Sequence, residues 1–316
     1  MLFPQYTFEE IRVSCTATYY FKKVNVDVFN NLLTSFFDKP LSKDQSKWFA
    51  SDGKELRGSI LKGNTRGEAI VQLLHHDTRL VTKQLFYNGH KESERPCVLA
   101  LLKEDCSDKK ITLDALHLTP DTVNNIESEQ GIYLIGVKDN QKELLNEIIG
   151  ISNLQKPVTY HDEESEKGHG RVDKRRYNSY VLKKTCLDKR WLNANFQTIV
   201  KVERESYNCK NKIQSSEIAY YVSNQKIQAG DTKHELFSAV RNHWNIETNN
   251  YIRDVSLKED SLKSTFSELS RNMATCRTFV LNMIYQLKTN NIKEKLDKFN
   301  DDIQALFLAL REANFL

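Results

Sequence analysis

The amino-acid sequence predicts an α/β fold in which helices flank a mixed sheet. The first observation is a pair of apolar segments at 69–74 and 80–87, separated by a turn, which is typical of a β-hairpin. The second is the alternation of short apolar segments with helical patterns between 92 and 149. The third is a run of strand-like segments, separated by polar turns, after about residue 155.

The N-terminal part, 7–49, is predicted to be largely helical. Its apolar residues recur at steps of three and four, which places them on one face of a helix. These residues are Phe21, Val24, Val28, Leu32 and Phe36, with Phe29 and Leu33 beside them. Pro40 ends the pattern, since the residue before a proline disfavours the helical conformation.

The next hundred residues predict three strands, then a helix, a strand, a helix, a strand and a helix. The strands are predicted at 48–53, 69–74, 80–87, 110–116 and 132–137, and the flanking helices at 92–105 and 141–149. The middle helix begins at Thr119 as its N-cap with Pro120 in the first helical position, and Gly131 is predicted to end it. This order is that of a ribonuclease-H-like core.

These patterns divide the chain into four regions. They are a helical N-terminal part at 1–47, the first part of the core at 48–155, a β-rich insertion at 156–231, and helices at 232–316. Within the insertion, strands are predicted at 167–184, 195–205 and 217–223.

Composition narrows the class of protein. The 316 residues are 39% hydrophobic and 28% charged, which is typical of a folded globular chain. There is no apolar run of about 18 residues, so no membrane span is expected, and the N-terminus has no pattern of a secretory signal. The six cysteines form no CxxC pair, which argues against a zinc site and fits a reducing cytoplasm.

Positive charge is concentrated between Lys167 and Arg190. Nine Lys and Arg residues lie there, with Asp173 and Asp188 as the only acidic residues. Such an excess suits a phosphate backbone, and it also suits an ordinary solvated surface.

Three carboxylates are candidates for metal-dependent chemistry. Asp52 precedes Gly53, a pairing that is also common in turns. Asp114 ends the apolar run 111–113, where a carboxylate must be paired, metal-bound or exposed. Glu247 lies on an amphipathic helix, on a face predicted to include Val240, Trp244, Tyr251 and Asp254, and this face also fits a merely solvated surface.

Six short motifs occur in the order found in one family. They are 52–59 (DGKELRGS), 91–94 (KESE), 113–115 (LDA), 137–141 (VKDNQ), 169–175 (HGRVDKR) and 241–247 (RNHWNIE). Together they resemble the DDE-type transposases of bacterial insertion sequences, in the group of the H-repeat-associated proteins. The resemblance extends over about 45–290.

The resemblance implies a fold, an activity and partners. It implies a ribonuclease-H-like core in which Asp52, Asp114 and Glu247 are catalytic and hold two Mg²⁺ ions, for which Mn²⁺ substitutes. It implies cleavage of DNA at the terminal inverted repeats of an element and transfer of the 3′ hydroxyl to target DNA, by a homodimer in the synaptic complex, in the bacterial cytoplasm at the nucleoid. The residues expected to contact DNA are Lys138, Arg171, Lys174, Arg175, Arg176, His243 and Trp244.

The sequence also departs from the family pattern. Fewer residues than usual precede Asp52, Asp173 replaces a usual glutamate, and the stretch between Glu247 and Asp254 is one residue shorter than usual. One deletion in a helix rotates the rest of the helix by about 100°. These departures predict a shortened, decayed copy, so two alternatives stay open: a DNA-binding remnant without catalysis, and a metal-dependent nuclease with a cellular role.

Overall fold

The computed structural model describes residues 15–37, 47–89, 91–103, 106–168, 170–182, 188–227, 235–289 and 291–312. The chain divides into two compact units. The first unit comprises Met1–Ser46, Asp52–Leu101 and Asn245–Leu316, and the second comprises Lys47–Ser51 and Leu102–Trp244.

Strands and helices occur in the predicted order up to residue 154. The strands are β1 (Trp48–Glu55), β2 (Ala69–His75), β3 (Val81–Tyr87), β4 (Lys110–Leu113), β5 (Ile132–Val137), β6 (Thr159–Asp162), β7 (Glu166–Gly168), β8 (Arg171–Val181), β9 (Thr198–Asn208) and β10 (Ile213–Ser223). The helices are α1 (Cys15–Phe21), α2 (Val26–Phe37), α3 (Lys91–Lys103), α4 (Pro120–Ser128), α5 (Lys142–Leu154), α6 (Glu235–Val255), α7 (Ser267–Gln286), α8 (Ile292–Asp301) and α9 (Ile303–Glu312). The predicted sequence of elements from β1 to α5 is therefore confirmed. None of the helices in the described ranges is long and apolar enough to span a membrane.

The start of α4 shows how local sequence sets an element. The Thr119 side chain accepts a hydrogen bond from the backbone N–H of Thr122, and Pro120 is the first helical residue, as predicted. A cap of this kind stabilises a helix by about 1 kcal/mol. The helix ends at Ser128, before Gly131, and Gln130 then takes a left-handed conformation with φ of 59°.

In the second unit the strands form a mixed sheet. Their order is β1-β4-β5-β10-β9-β8-β6, and β7 pairs with β8. The neighbours β1, β4 and β5 are parallel, and the remaining pairs are antiparallel. Because β10 pairs directly with β5, the β-rich segment after residue 155 continues this sheet.

The first half of α6 packs against that sheet. The cluster consists of Trp48, Leu134, Tyr177, Val200, Val202, Leu236, Phe237, Ala239 and Val240. At the start of the helix, Glu235 accepts a hydrogen bond from the Trp48 indole at 3.1 Å and forms an ion pair with Lys110. These contacts hold the first turns of α6 against β1 and β4 within the unit.

The first unit is organised around the β2–β3 hairpin and α7. Every residue of β2 is buried. One of its polar residues, Gln72, donates to Gln84 of β3 and to Thr278 of α7, both at 3.0 Å. Asn282 of α7 pairs with both backbone groups of Val81. Buried amide side chains therefore hold the hairpin on the helix, because each finds a partner.

The N-terminal helical region differs from its prediction. The helix is interrupted between α1 and α2, and α2 buries Asn30, Leu33 and Phe37. Val28 and Leu32, predicted on the buried face, are 67% and 68% exposed, so that part of the prediction was wrong. The interruption shifts the helical phase, so a pattern read across it selects the wrong face. Residues 7–14 and 38–46, which belong to the region predicted to be largely helical, lie outside the described ranges.

Candidate active site

Asp52 lies inside β1, and the strand continues past it to Glu55. Its half-buried side chain accepts a hydrogen bond of 3.3 Å from the side-chain amide of Asn250 in α6. Gly53 comes next in strand conformation, so the Asp-Gly pair does not form a turn here. The predicted position of Asp52 on a strand is confirmed.

Glu94, in α3, is a second carboxylate beside this stretch, and the sequence analysis assigned it no role. A Cβ atom at Gly53 would lie 2.7 Å from Cδ of Glu94 and 2.9 Å from the Tyr87 hydroxyl oxygen, so a larger residue here would displace the ends of these two side chains. The Tyr87 hydroxyl donates to Oε2 of Glu94 at 3.3 Å. Burial, then Glu94, and to a smaller extent Asp52 raise the pKa of Tyr87, which keeps it a hydrogen-bond donor. The sequence signal for Glu94 is its place in the motif at 91–94.

Asp114 comes directly after β4 and caps a short 3₁₀ helix, Ala115–His117. Its Oδ1 accepts a hydrogen bond from the backbone N–H of Leu116 at 3.0 Å, which ends the strand at Leu113, earlier than predicted. The side chain is 50% exposed, and Nε2 of the buried His117 lies 3.7 Å from the same Oδ1. Both contacts use Oδ1, so within the described part of the chain Oδ2 is available to a further ligand.

Glu247 is exposed on α6, one turn before Asn250. Trp244 and Tyr251, two further members of the predicted face, are 46% and 65% exposed. Val240 was predicted on this face, but it is only 5% exposed, because it packs into the core of the second unit.

Helix α6 is continuous between Glu247 and Asp254, the stretch that is one residue shorter here than in the family pattern. At its end, Asp254 forms an ion pair with Lys54 of β1 at 2.6 Å. The shortened stretch therefore forms regular helix, and the next motif residue, Asp254, has a partner.

His243 was predicted to contact DNA, and its surroundings do not support that role. Its Nδ1 lies 2.9 Å from the Thr112 hydroxyl of β4. Burial, together with the neighbouring His117, lowers the pKa of His243 to about 4. The imidazole is therefore neutral at pH 7 and offers no positive charge to a phosphate.

Folding stability is expected to fall in mild acid because of His243. The unfolded chain protonates this residue below about pH 6.5, whereas the folded chain does so only near pH 4. Stability is therefore fully present above pH 6.5 and decreases towards pH 4, by about 2 kcal/mol between pH 7.5 and pH 5. In urea titrations, His243→Gln should remove this decrease. An equal loss in the variant and the wild type would contradict the assignment.

Lys138, Arg171 and Lys174, all predicted DNA contacts, have exposed side chains. The predicted cations Lys183 and Lys184 lie outside the described ranges, as does His169 of the motif at 169–175.

Two of the predicted DNA contacts are engaged within the sheet of the second unit. Arg175 is largely buried and forms ion pairs with Glu163, Glu166 and Asp173 at 3.4, 3.3 and 3.2 Å. Arg176 pairs with a carboxylate on the neighbouring strand β6 at 2.8 Å. The excess of positive charge counted from 167 to 190 is thus partly neutralised by carboxylates that precede this stretch in the chain.

Two proteins of Escherichia coli K12 match the chain, each at 26% identity over 258 residues. They are named "H repeat-associated putative transposase YhhI" and "Putative protein YbfL". The chain is similar to the H-repeat-associated transposases. The resemblance inferred from the six motifs is thereby confirmed. No protein-family model matches the chain.

The similarity is partial in length. It covers 77% of this chain, and the chain spans 65% of the length of each of these relatives. A solved structure of the piggyBac transposase synaptic complex with hairpin DNA aligns with a TM-score of 0.43 and 11% identity, over 81% of this chain and 52% of that one. At that level the alignment does not establish a common fold.

A preformed metal cluster is not present in the described part of the chain. No group of three or more His, Cys, Asp or Glu side chains there is close enough to hold a metal ion. Mg²⁺ is usually held by one or two carboxylates together with substrate phosphates and water, so such a cluster is not required. The half-exposed Asp114 and the exposed Glu247 are oxygen ligands of the kind this ion prefers.

Proposed function

We propose that this chain carries the chemistry of a DDE-type transposase on a ribonuclease-H-like core. In this proposal it cuts DNA strands at the ends of an insertion element and joins their 3′ hydroxyls to target DNA. Asp52, Asp114 and Glu247 are the catalytic carboxylates, and Mg²⁺ is the ion they bind. The name of one of the two relatives, "H repeat-associated putative transposase YhhI", and the confirmed order of elements from β1 to α5 support it.

The register of β1 and β4 is the observation that carries the proposal. The paired residues run in parallel from Trp48 and Lys110 to Ala50 and Thr112. Asp52 and Asp114 each come two positions after the last paired residue of their strand. This equal spacing from the paired residues of adjacent parallel strands supports a joint role for the two carboxylates.

The three proposed carboxylates differ in their surroundings. Bound Mg²⁺ ions would supply Lewis-acid activation of the attacking oxygen and stabilisation of the leaving one. Asn250 orients Asp52 through its amide, and the cap to Leu116 orients Asp114. Glu247, on the exposed face of α6, is accessible to a large substrate such as duplex DNA.

Cleavage of the flanking genomic DNA by the purified chain tests this proposal. Labelled duplexes from both sides of the coding sequence are incubated with Mg²⁺, Mn²⁺ or EDTA. We expect metal-dependent cuts at defined positions that leave 3′ hydroxyls, followed by joining to a second duplex. Binding without cleavage would instead favour the DNA-binding remnant, and cleavage without positional preference would favour a cellular nuclease.

The exposed cations are expected to set the affinity for DNA. Each phosphate contact contributes a slope of about −0.9 to the dependence of log K on log salt concentration. The double variant Arg171→Gln/Lys174→Gln should reduce the magnitude of that slope by about 2 and weaken binding of a random duplex about tenfold. Fluorescence anisotropy at several salt concentrations measures both.

Arg176→Gln is the matched control for this experiment. Its guanidinium is already paired with Asp162 on the same sheet, so its removal should change the slope by much less than the roughly 0.9 expected for one phosphate contact. A change of about 0.9 in this variant would mean that ion pairing does not decide which cations contact DNA.

A further inference from the structure

Two contacts join β1 to α6 within the first unit. Asn250 donates to Asp52 at 3.3 Å, and Lys54 pairs with Asp254 at 2.6 Å. Asp52 and Lys54 are two residues apart on a strand, and Asn250 and Asp254 are four apart on a helix, so each pair shares a face. The spacing is about 6.6 Å along the strand and about 6 Å along the helix, so the two contacts match.

Lys54 is nearly buried, with a side chain that is 8% exposed. Its ammonium nitrogen lies 2.6 Å from Asp254, 3.8 Å from Glu259 and 3.9 Å from Asp260. Lysine is almost never buried unless it is paired. The contact to α6 is the shortest of the three, so it dominates the position of the side chain.

Glu259 does not depend on Lys54 for a partner. Arg253 holds both of its oxygens, at 2.8 and 2.6 Å. Burial alone would raise the pKa of Glu259, but this ion pair outweighs burial and lowers it. Lys54 is therefore the residue whose charge links the strand to Asp254.

We propose that Lys54 is a positioning residue, whose ion pair with Asp254 fixes the position of α6 along the direction of β1. This contact thereby also sets the position of Glu247 relative to Asp52. The inference rests on the proposed function, in which both carboxylates act. Glu247 lies seven residues before Asp254, about 10.5 Å along the helix. Because the helix is continuous between them, any sliding at Lys54 moves Glu247 equally. The bond from Asn250, at 3.3 Å, is longer than an ordinary N–H···O bond and holds this register less firmly.

The test compares Lys54→Met with Lys201→Met. Lys201 is mostly buried, at 14% exposure, and pairs with Glu203 at the same distance of 2.6 Å. Both residues lie on β9, so this ion pair does not join a helix to a strand. The first measurement is hydrogen exchange of the backbone amides at 245–255. We expect Lys54→Met to raise exchange there at least tenfold, and Lys201→Met to leave it unchanged.

The second measurement is the single-turnover rate of strand cleavage at saturating DNA. Lys54→Met should lower this rate at least tenfold at unchanged DNA affinity, and Lys54→Arg should restore most of it. If Lys54→Met does not fold, Asp254→Asn removes the same ion pair at a position that is 38% exposed.

The outcomes separate this inference from the function on which it rests. Wild-type exchange at 245–255 in folded Lys54→Met or Asp254→Asn would overturn the positioning role, whether or not the chain cleaves DNA. If exchange is raised in the Lys54 variant but the wild type shows no metal-dependent cleavage, the proposed function is refuted. The contact would then still determine the position of the helix. Raised exchange with an unchanged cleavage rate would overturn the link to Glu247.

Discussion

Substituting Asp114 with asparagine is expected to lower metal-dependent DNA cleavage by about 1,000-fold. Metal ions contribute several kcal/mol to such reactions, and about 4 kcal/mol corresponds to this factor. Asparagine keeps the cap, because its side-chain oxygen can still accept from the backbone of Leu116. It removes the negative charge that the proposed Mg²⁺ site needs. Single-turnover cleavage of the flanking duplex, with circular dichroism as a check of folding, measures the effect.

Asp188 is a close structural match to Asp114 and serves as the control. It also caps a short 3₁₀ helix, accepting a hydrogen bond of 3.0 Å from the backbone of Arg190, and its side chain is 45% exposed. Asp188→Asn should therefore leave the cleavage rate within about twofold, since surface substitutions away from a site have small effects.

Comparison of the two variants isolates the charge at position 114 from its role as a helix cap. Calorimetric titration with Mn²⁺ in the presence of a duplex gives a second readout, in which only Asp114→Asn should weaken binding. Full activity in Asp114→Asn would remove this residue from the proposed site. An equal loss in both variants would mean that the effect is not specific to the charge at position 114.

Local features of the sequence predicted the order of elements well. Thr119 with Pro120 begins α4 as expected, since a cap and the residues after it interact within one turn. Asp52 lies on the predicted strand, because residue patterning within one element is sufficient to place it there.

Contacts between distant parts of the chain were not predictable from local pattern. The ion pair of Lys54 and Asp254 joins residues 200 positions apart. Arg175 was predicted to contact DNA, but it is largely buried and pairs with Glu163 and Glu166. His243 lies against β4, which no spacing within its own helix reveals. Burial and pairing of charges are decided by tertiary packing, so charge counts along the chain overestimate the exposed charge.

Removing one partner of the buried ion pair of Arg253 and Glu259 is expected to destabilise the fold strongly. The two side chains are 0% and 2% exposed, and Arg253 also donates to Thr278 at 2.7 Å and to the carbonyl of Ala274 at 3.1 Å. Arg253→Met leaves a carboxylate buried without its main partner, which costs about 3 kcal/mol or more. The free energy of unfolding from urea titration at pH 7.5 should fall by this amount.

Two further variants separate the ion pair from simple loss of packing. Arg204 and Glu217 also pair at 2.7 Å, but they are 33% and 62% exposed, so Arg204→Met should cost less than about 1 kcal/mol. Arg253→Met/Glu259→Met removes both charges and should recover part of the loss, because an uncompensated buried charge is more costly than an apolar pair of similar size. If the double variant is less stable than Arg253→Met, then packing and the hydrogen bonds to α7, rather than the unpaired carboxylate, account for the destabilisation.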